Sequence, residues 1–200
     1  MVESATGPAA RSRKADILRA AEREFAAAGY GGARIERIAA AAGVNKQLLF
    51  HYYRSKEGLF AAAVSAMVGR FDVDGGRTES PASDLKSAVT DLMAGLRAVP
   101  GIVGIVAGAR SDGELPRTVA TTVRAWRDRL LLRLRSAVAD GQQRGYFRDD
   151  LDPHAVGALA TAAAFGLVAL ELEGTLSDLP GEDASAQVLA RLLADHCAWR

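Results

Sequence analysis

Apolar residues recur at helical spacing along nearly the whole chain. Ile17, Ala21, Phe25 and Ala28 fall at intervals of three and four, which predicts a helix over residues 13–28, capped by Ser12 and ended by Gly29-Tyr30-Gly31-Gly32. Ile35, Ile38, Ala39 and Ala42 define a second helix of two turns, broken at Gly43 where a left-handed residue is wanted. Asn45 suits the N-cap of a third short helix over 46–52, and Ser55 that of a fourth carrying Leu59, Phe60, Val64 and Met67. Residues 72–83 mix Asp, Gly, Arg, Pro and Ser without a period and read as a loop. Helices are predicted over 84–98, from the Pro100-Gly101 break to about Arg110, and, after a turn at Ser111-Asp112-Gly113, over 116–143. Val119, Val123, Trp126, Leu130, Leu134 and Val138 share one face of that long helix. Asp152-Pro153, a cap followed by proline at the first helical position, opens a helix to Glu173. A last helix starts near Asp183 and runs to the terminus with Val188, Leu189, Leu192 and Leu193 inward. No strand alternation and no internal repeat appear, so the predicted fold class is all-α with about nine helices.

A length of 200 residues holds one sizeable helical domain or a small one joined to a larger one. With 49% apolar and 24% charged residues the chain can form a proper core. Cys197, the single cysteine, can form neither an internal disulfide nor a thiolate metal cluster, and its plain role is a small buried helix residue; a reducing cytoplasm suits this composition. The first ten residues are polar and small, unlike a secretory signal. The longest apolar run, 155–170, falls short of the roughly 20 residues that span a bilayer and reads as a buried helix at a core or subunit interface; no membrane association is expected. A net charge of +1 hides an asymmetry: residues 1–70 carry 11 Lys and Arg against 6 Asp and Glu, and the remainder 14 against 18. The positive end is where a polyanion would dock.

The stretch 35–53 narrows that expectation. Ala39 is small where two helices must approach, Gly43 can take positive φ in the three-residue turn, Val44 plugs the angle between the helices, and Leu49 packs the third helix onto the second. Asn45, Lys46, Gln47, Phe50 and His51 are left outward, so the exposed start of the third helix is polar and basic. Such a helix start contacts base edges in the major groove. The competing interpretation is a helical hairpin in a core, with Ala39 and Gly43 incidental in an alanine-rich chain. Four consecutive rings, Phe50, His51, Tyr52 and Tyr53, favour the DNA-facing interpretation, because ring edges and hydroxyls can meet phosphates and thymine methyls.

Taken together, Ile17, Ala21 and Phe25, then Gly29-Tyr30, Ile38-Ala39, Ala42-Gly43-Val44-Asn45-Lys46, Leu49-Phe50-His51-Tyr52-Tyr53 and Ser55-Lys56-Glu57-Gly58-Leu59-Phe60 resemble the signature of the TetR family of repressors. The resemblance covers about residues 11–60; beyond them only length and helix order are similar. It implies a homodimer with a DNA-binding domain over 11–56 and a helical regulatory and dimerisation domain over 57–200. It also implies a palindromic double-stranded operator, a four-helix bundle formed across the dimer by the last two helices, and a small ligand in the body that releases DNA. By position, base reading falls on Lys46, Gln47 and His51, and phosphate or mixed contacts on Tyr52 and Lys56. Arg34 stands where the family usually has a capping threonine, which loses a cap and gains a cation. Leu48 replaces a usual Thr or Ser and Phe50 a usual Tyr, removing two hydroxyls; Leu48 can meet a thymine methyl or simply pack.

In the remainder, Met67, Met93, Arg110, Trp126 and Phe165 are the candidate lining of a pocket for a small apolar or amphipathic ligand, with plain core as the alternative role of each Met or ring. Arg124, Arg127, Arg129, Arg133 and Arg135 spread around the long helix with Asp128 among them, the pattern of a solvated face. Small residues Ala158, Ala162 and Ala163 would let helices approach closely at a dimer interface built from 152–173 and 183–199. No metalloprotease, di-iron, phosphate-loop or nucleophile-elbow motif is present, and His51, His154 and His196 lie far apart, so neither enzyme nor cofactor is expected. The alternatives are a DNA-binding activator or other regulator without a small-molecule ligand and, behind it, an all-helical enzyme.

Overall fold

The computed structural model describes residues 8–70, 80–108, 115–176 and 183–198, with side chains over 12–70, 80–106, 115–176 and 183–198. Among them are nine helices: α1 Pro8–Gly32, α2 Ile35–Ala41, α3 Lys46–Tyr53, α4 Lys56–Gly69, α5 Pro81–Ala98, α6 Pro100–Gly108, α7 Arg117–Gln143, α8 Pro153–Leu172 and α9 Ala184–Cys197. Among the described residues, extended pairing is confined to an isolated antiparallel bridge between Phe147 and Ala198. The all-α class expected from periodicity is what is found.

Two compact units arise by contact, one from Met1–Arg70 with Gly104–Val123 and the other from Phe71–Val103 with Arg124–Arg200. In the first, α1 packs along α4 and across α2. Its core gathers Ile17, Ala21, Phe25, Ile38, Leu49, Leu59, Phe60 and Val64, all essentially without solvent exposure. The rings of Phe25 and Phe60 lie 4.6 Å apart and Tyr30 sits 5.0 Å from Phe60. Arg70 donates to both carboxylate oxygens of Glu22, at 3.0 and 2.7 Å, tying the end of α4 to α1. Helix α1 starts earlier than the apolar spacing predicts, so Ser12 lies inside it and is not its cap. It also continues to Gly32 across a kink at Gly29, whose φ of 65° and ψ of −178° a residue with a Cβ would resist.

In the second unit α5 packs against both α8 and α9. It begins at Pro81, three residues ahead of the predicted start, because proline tolerates the first helical turn and the aperiodic 72–83 segment already includes that turn. The rest of that segment through residue 79, the predicted turn at 111–113 and Trp199 lie outside the described residues. Trp126, Leu130, Leu134 and Val138 are buried along α7, as the spacing predicts, while Val123 is half-buried. Arg97 on α5 donates to both carboxylate oxygens of Glu171 on α8 at 2.8 and 3.0 Å and to Ser185 Oγ on α9 at 3.0 Å. Ser185 Oγ in turn donates to Glu171. The Arg97 hydrogen bonds hold the Glu171 carboxyl below its usual range.

Helix α9 corrects the sequence expectation. Its inward line is Ala186, Ala190, Leu193, Ala194 and Cys197, whereas Val188 and Leu192 point to solvent and Leu189 is half-buried. Leu193 lies inward as expected, and the small residues beside it let α9 approach α5 closely, which turns Val188 and Leu192 outward. Helix α8 likewise extends beyond the 16-residue apolar run to 20 residues, with a mean hydropathy of 1.9 over its best window, long and apolar enough to cross a membrane by composition. Here it packs on α5 and α9, and 28% of that window is buried, which leaves an apolar face uncovered.

Candidate nucleic-acid interface

The turn between α2 and α3 is built from four backbone and side-chain hydrogen bonds. Gly43 takes φ 64°, which allows its N–H to donate to Ala40 O at 3.1 Å and the N–H of Val44 to donate to Ala39 O at 3.0 Å. Those two bonds are the Schellman pattern that satisfies the last carbonyls of a helix. Asn45 then caps α3, its Oδ1 accepting from the Leu48 N–H at 2.8 Å while its backbone carbonyl accepts from Leu49 N–H at 3.3 Å. After α3 only Arg54 and Ser55 intervene before α4, and Ser55 Oγ accepts from the Gly58 N–H at 2.9 Å. Two short helices are thereby held in one geometry by residues whose types the turn requires.

On α3, Leu49 and Tyr53 face the core while Lys46, Gln47, Phe50 and His51 are exposed, and Asn45 is exposed ahead of them. Leu48 and Tyr52 are half-buried, Tyr52 lying edge-on between His51 and Tyr53. The four rings therefore do not act alike. Tyr53 is a core residue whose hydroxyl donates to Lys14 O of α1 at 3.1 Å, and burial pushes its phenol up to about 12. The Asn45 carbonyl oxygen is occupied by its cap, leaving the amide NH2 as the donor it can offer elsewhere.

Two cations of this face, Lys46 and Lys56, are internally engaged. Lys46 pairs with Glu36 on α2. Lys56, half-buried at the first turn of α4, donates to Gly31 O at 3.2 Å and stands 5.1 Å over the Tyr30 ring. Arg34 is exposed and its side chain makes no cap at the start of α2. Its backbone N–H instead donates to Glu24 Oε1 at 3.1 Å, and Arg37 Nε lies 3.4 Å from the other oxygen of that nearly buried carboxylate. Glu24 on α1 thus satisfies the backbone N–H of the N-cap residue, a group that the side chain of a threonine at position 34 would not cap, and its negative charge suits a helix N-terminus. Glu24 and Glu36 escaped the sequence analysis because each meets its partner ten residues away across a helix crossing. Neither contact leaves a signal in the local sequence, because each depends on how two helices cross.

A stability measurement tests this contact. Glu24→Ala should cost about 1.5–3 kcal/mol in urea unfolding, the worth of a hydrogen bond to a charged group. Arg34→Thr should add a cap of about 0.5–2 kcal/mol in the parent and in the Glu24→Ala background alike, since a threonine hydroxyl there accepts from the N–H of Glu36 or Arg37 and leaves that of residue 34 to Glu24. A rescue by Arg34→Thr found only in the Glu24→Ala background would show that the two acceptors serve one N–H after all.

The candidate pocket residues are less concentrated. Trp126 and Phe165 meet edge to face at 5.8 Å between centroids, Trp126 buried and Phe165 half-buried. Met93 is fully buried in the same unit, Met67 is buried in the first unit, and Arg110 lies outside the described residues.

Residues 17–63 match the sequence model described as bacterial regulatory proteins, tetR family. The repressor SCO4008 of Streptomyces coelicolor, of the helix-turn-helix type, is 32% identical over 180 residues, 88% of each chain. The repressor NicS of Pseudomonas putida, of the same type, is 29% identical over 150 residues, 70% of this chain and 71% of the relative. The crystal structure of the regulator FadR from Bacillus subtilis, in complex with stearoyl-CoA, superposes with a TM-score of 0.71 at 18% identity, covering 92% of this chain and 98% of the other.

Proposed function

The chain belongs to the TetR family of transcriptional regulators, and from that premise we propose that it is a repressor binding palindromic operator DNA as a homodimer, released by a small molecule. Residues 11–56 read the DNA and 57–200 dimerise and regulate. The observation that carries this reading is the pair of short helices locked by Gly43 and Asn45, which presents Lys46, Gln47, Phe50 and His51 together to solvent. In a two-fold dimer two such helix starts enter successive major grooves. Gln47 and His51 supply donors and acceptors for base edges. Arg34, Lys56, Tyr52 and the Asn45 amide serve the phosphate backbone, and Leu48 and Phe50 offer apolar contact to thymine methyls.

The dimer we propose uses α8 and α9. Ala155, Ala158, Leu159, Ala162, Gly166 and Leu170 form one exposed stripe along α8, and Val188 and Leu192 are exposed on α9. Small residues between large ones suit close helix packing, and a lone subunit would leave this face in water. Ala158 and Ala162 lie on the stripe and Ala163 is half-buried beside it. The ligand is of an apolar or amphipathic class, the class to which the stearoyl-CoA of the FadR complex belongs, and Met93, Trp126 and Phe165 are its proposed contacts. It releases DNA to the extent that it prefers the conformation whose heads do not match the grooves. The protein acts in the cytoplasm, where its buried thiol stays reduced.

Two substitutions separate base contacts from phosphate contacts. Gln47→Ala should relax preference at one operator position by about 1–3 kcal/mol of discrimination. Lys56→Ala should weaken all sequences about equally and lower the magnitude of the salt slope by about two units, one phosphate contact for each head. Binding isotherms on operator and scrambled duplexes at several salt concentrations decide the matter. Parental behaviour of both variants would refute these roles.

A further inference from the structure

Lys46 is the first residue of α3, and Glu36 stands in the first turn of α2. Their side chains are exposed, at 51% and 60%, yet they are joined in an ion pair that crosses from one helix to the other. Glu36 is thus a carboxylate on the side of the head that carries the reading helix, a place where a polyanion is expected and a negative charge is unfavourable. The Lys46 hydrogen bond holds its carboxyl below the usual range, so the charge persists at neutral pH. The pair has a structural part in linking α2 to α3, but the Schellman bonds and the Asn45 cap already hold that turn. Its electrostatic effect is left over.

Resting on the reading above, we propose that Glu36 is a specificity-determining residue, which neutralises Lys46 so that phosphate alone does not recruit it and a base-edge acceptor does. An ammonium has three donors and no preference between phosphates. Free at the start of the reading helix, it would add one sequence-independent contact per head. Paired, it must either leave its carboxylate beside the phosphates or keep the pair and offer its remaining donors to a nearby acceptor. A phosphate of non-specific DNA can recruit Lys46 only by parting it from Glu36, which cancels most of the gain. A guanine edge in register can accept from the ammonium while the pair stays intact, so the pair lowers binding to the wrong sequences more than to the right one. Exposed ion pairs are weak, so the exchange is rapid and does not lock the head.

The test uses the full chain and a duplex recovered from a random-sequence pool by selection with the parent protein, alongside its scrambled version. Glu36→Gln should bind the scrambled duplex about tenfold more tightly at physiological salt. Operator binding should tighten less, and the magnitude of the salt slope on scrambled DNA should rise by about two units per dimer. In a Lys46→Met background, Glu36→Gln should have no such effect. Circular dichroism of each variant checks that the helices persist. Unchanged scrambled binding on Glu36→Gln overturns the proposal, and so does a gain that survives Lys46→Met, which would mean that Glu36 acts on phosphates without Lys46. Failure of the parent to select any duplex would sink the DNA-binding reading itself, and this inference with it.

Discussion

Leu159→Glu together with Leu192→Glu should convert a dimer of the 21.0 kDa chain into a monomer, with its helical content unchanged and its operator affinity reduced by at least about a hundredfold. Both leucines are 63% exposed in the single chain. Burying a leucine contributes about 1.5–3 kcal/mol, and a two-fold axis counts each position twice. A carboxylate forced into that interface adds a desolvation cost of several kcal/mol per ion, so the substituted face cannot close. DNA binding falls because one head reads one half-site, and the second contact then ceases to be intramolecular. Sedimentation velocity with fluorescence anisotropy on the operator measures both effects. Leu132→Glu, at a half-exposed leucine on α7 outside the proposed interface, serves as the control and should leave the mass unchanged. A doubly substituted chain that still sediments as the parental dimer would place the interface elsewhere.

The α8 and α9 faces also show which parts of this molecule were legible in its sequence. Where a single residue type has one steric use, local reading succeeded: Gly43 ends α2 in the left-handed region, Asn45 and Ser55 cap the helices after them, and Asp152-Pro153 opens α8. Burial along α7 followed its spacing because one face of a long amphipathic helix is unambiguous. The orientation of α9 was not legible, since alanines and leucines alternate around it and either face is apolar. The choice fell to close packing against α5, which a line made mostly of small residues permits. Sequence placed Phe50 and His51 outward, as found, but not Tyr53 in the core, because its hydroxyl meets a carbonyl of α1 that lies 39 residues away in sequence. Glu24 and Glu36 belong to the same class, being carboxylates whose use depends on a helix crossing. The exposure of Lys46, Gln47, Phe50 and His51 followed from the pattern, whereas the contacts of Glu24 and Glu36 with this head became visible only with the tertiary structure.

Gly58 leads to the other large expectation, and here two effects of opposite sign compete. It lies in the first turn of α4, where replacing glycine by alanine ordinarily favours a helix by up to about 1 kcal/mol. A Cβ there would sit 2.3 Å from the carbonyl oxygen of Tyr53, a backbone atom that cannot rotate aside, and 3.4 Å from Ser55 Oγ. That carbonyl is also the acceptor for the Ser55 N–H at 2.7 Å, and Arg54 beside it already holds φ 64° to reverse the chain in two residues. Relief therefore requires the end of α3 to move away from the start of α4, against a core in which Leu49, Leu59 and Phe60 are fully buried. Overpacking of this kind costs about 1–3 kcal/mol and more where backbone is the obstacle, so the steric effect outweighs the gain in helix propensity. Gly58→Ala should lower the urea midpoint of the head and weaken operator binding by about ten- to a hundredfold, because Gln47 and His51 are carried on the helix that must shift. The dimer proposed through α8 and α9 should survive. Anisotropy titrations with an equilibrium urea curve and a sedimentation run would separate these effects, and a variant with parental affinity and parental midpoint would mean that the α3 to α4 turn yields more easily than its geometry implies.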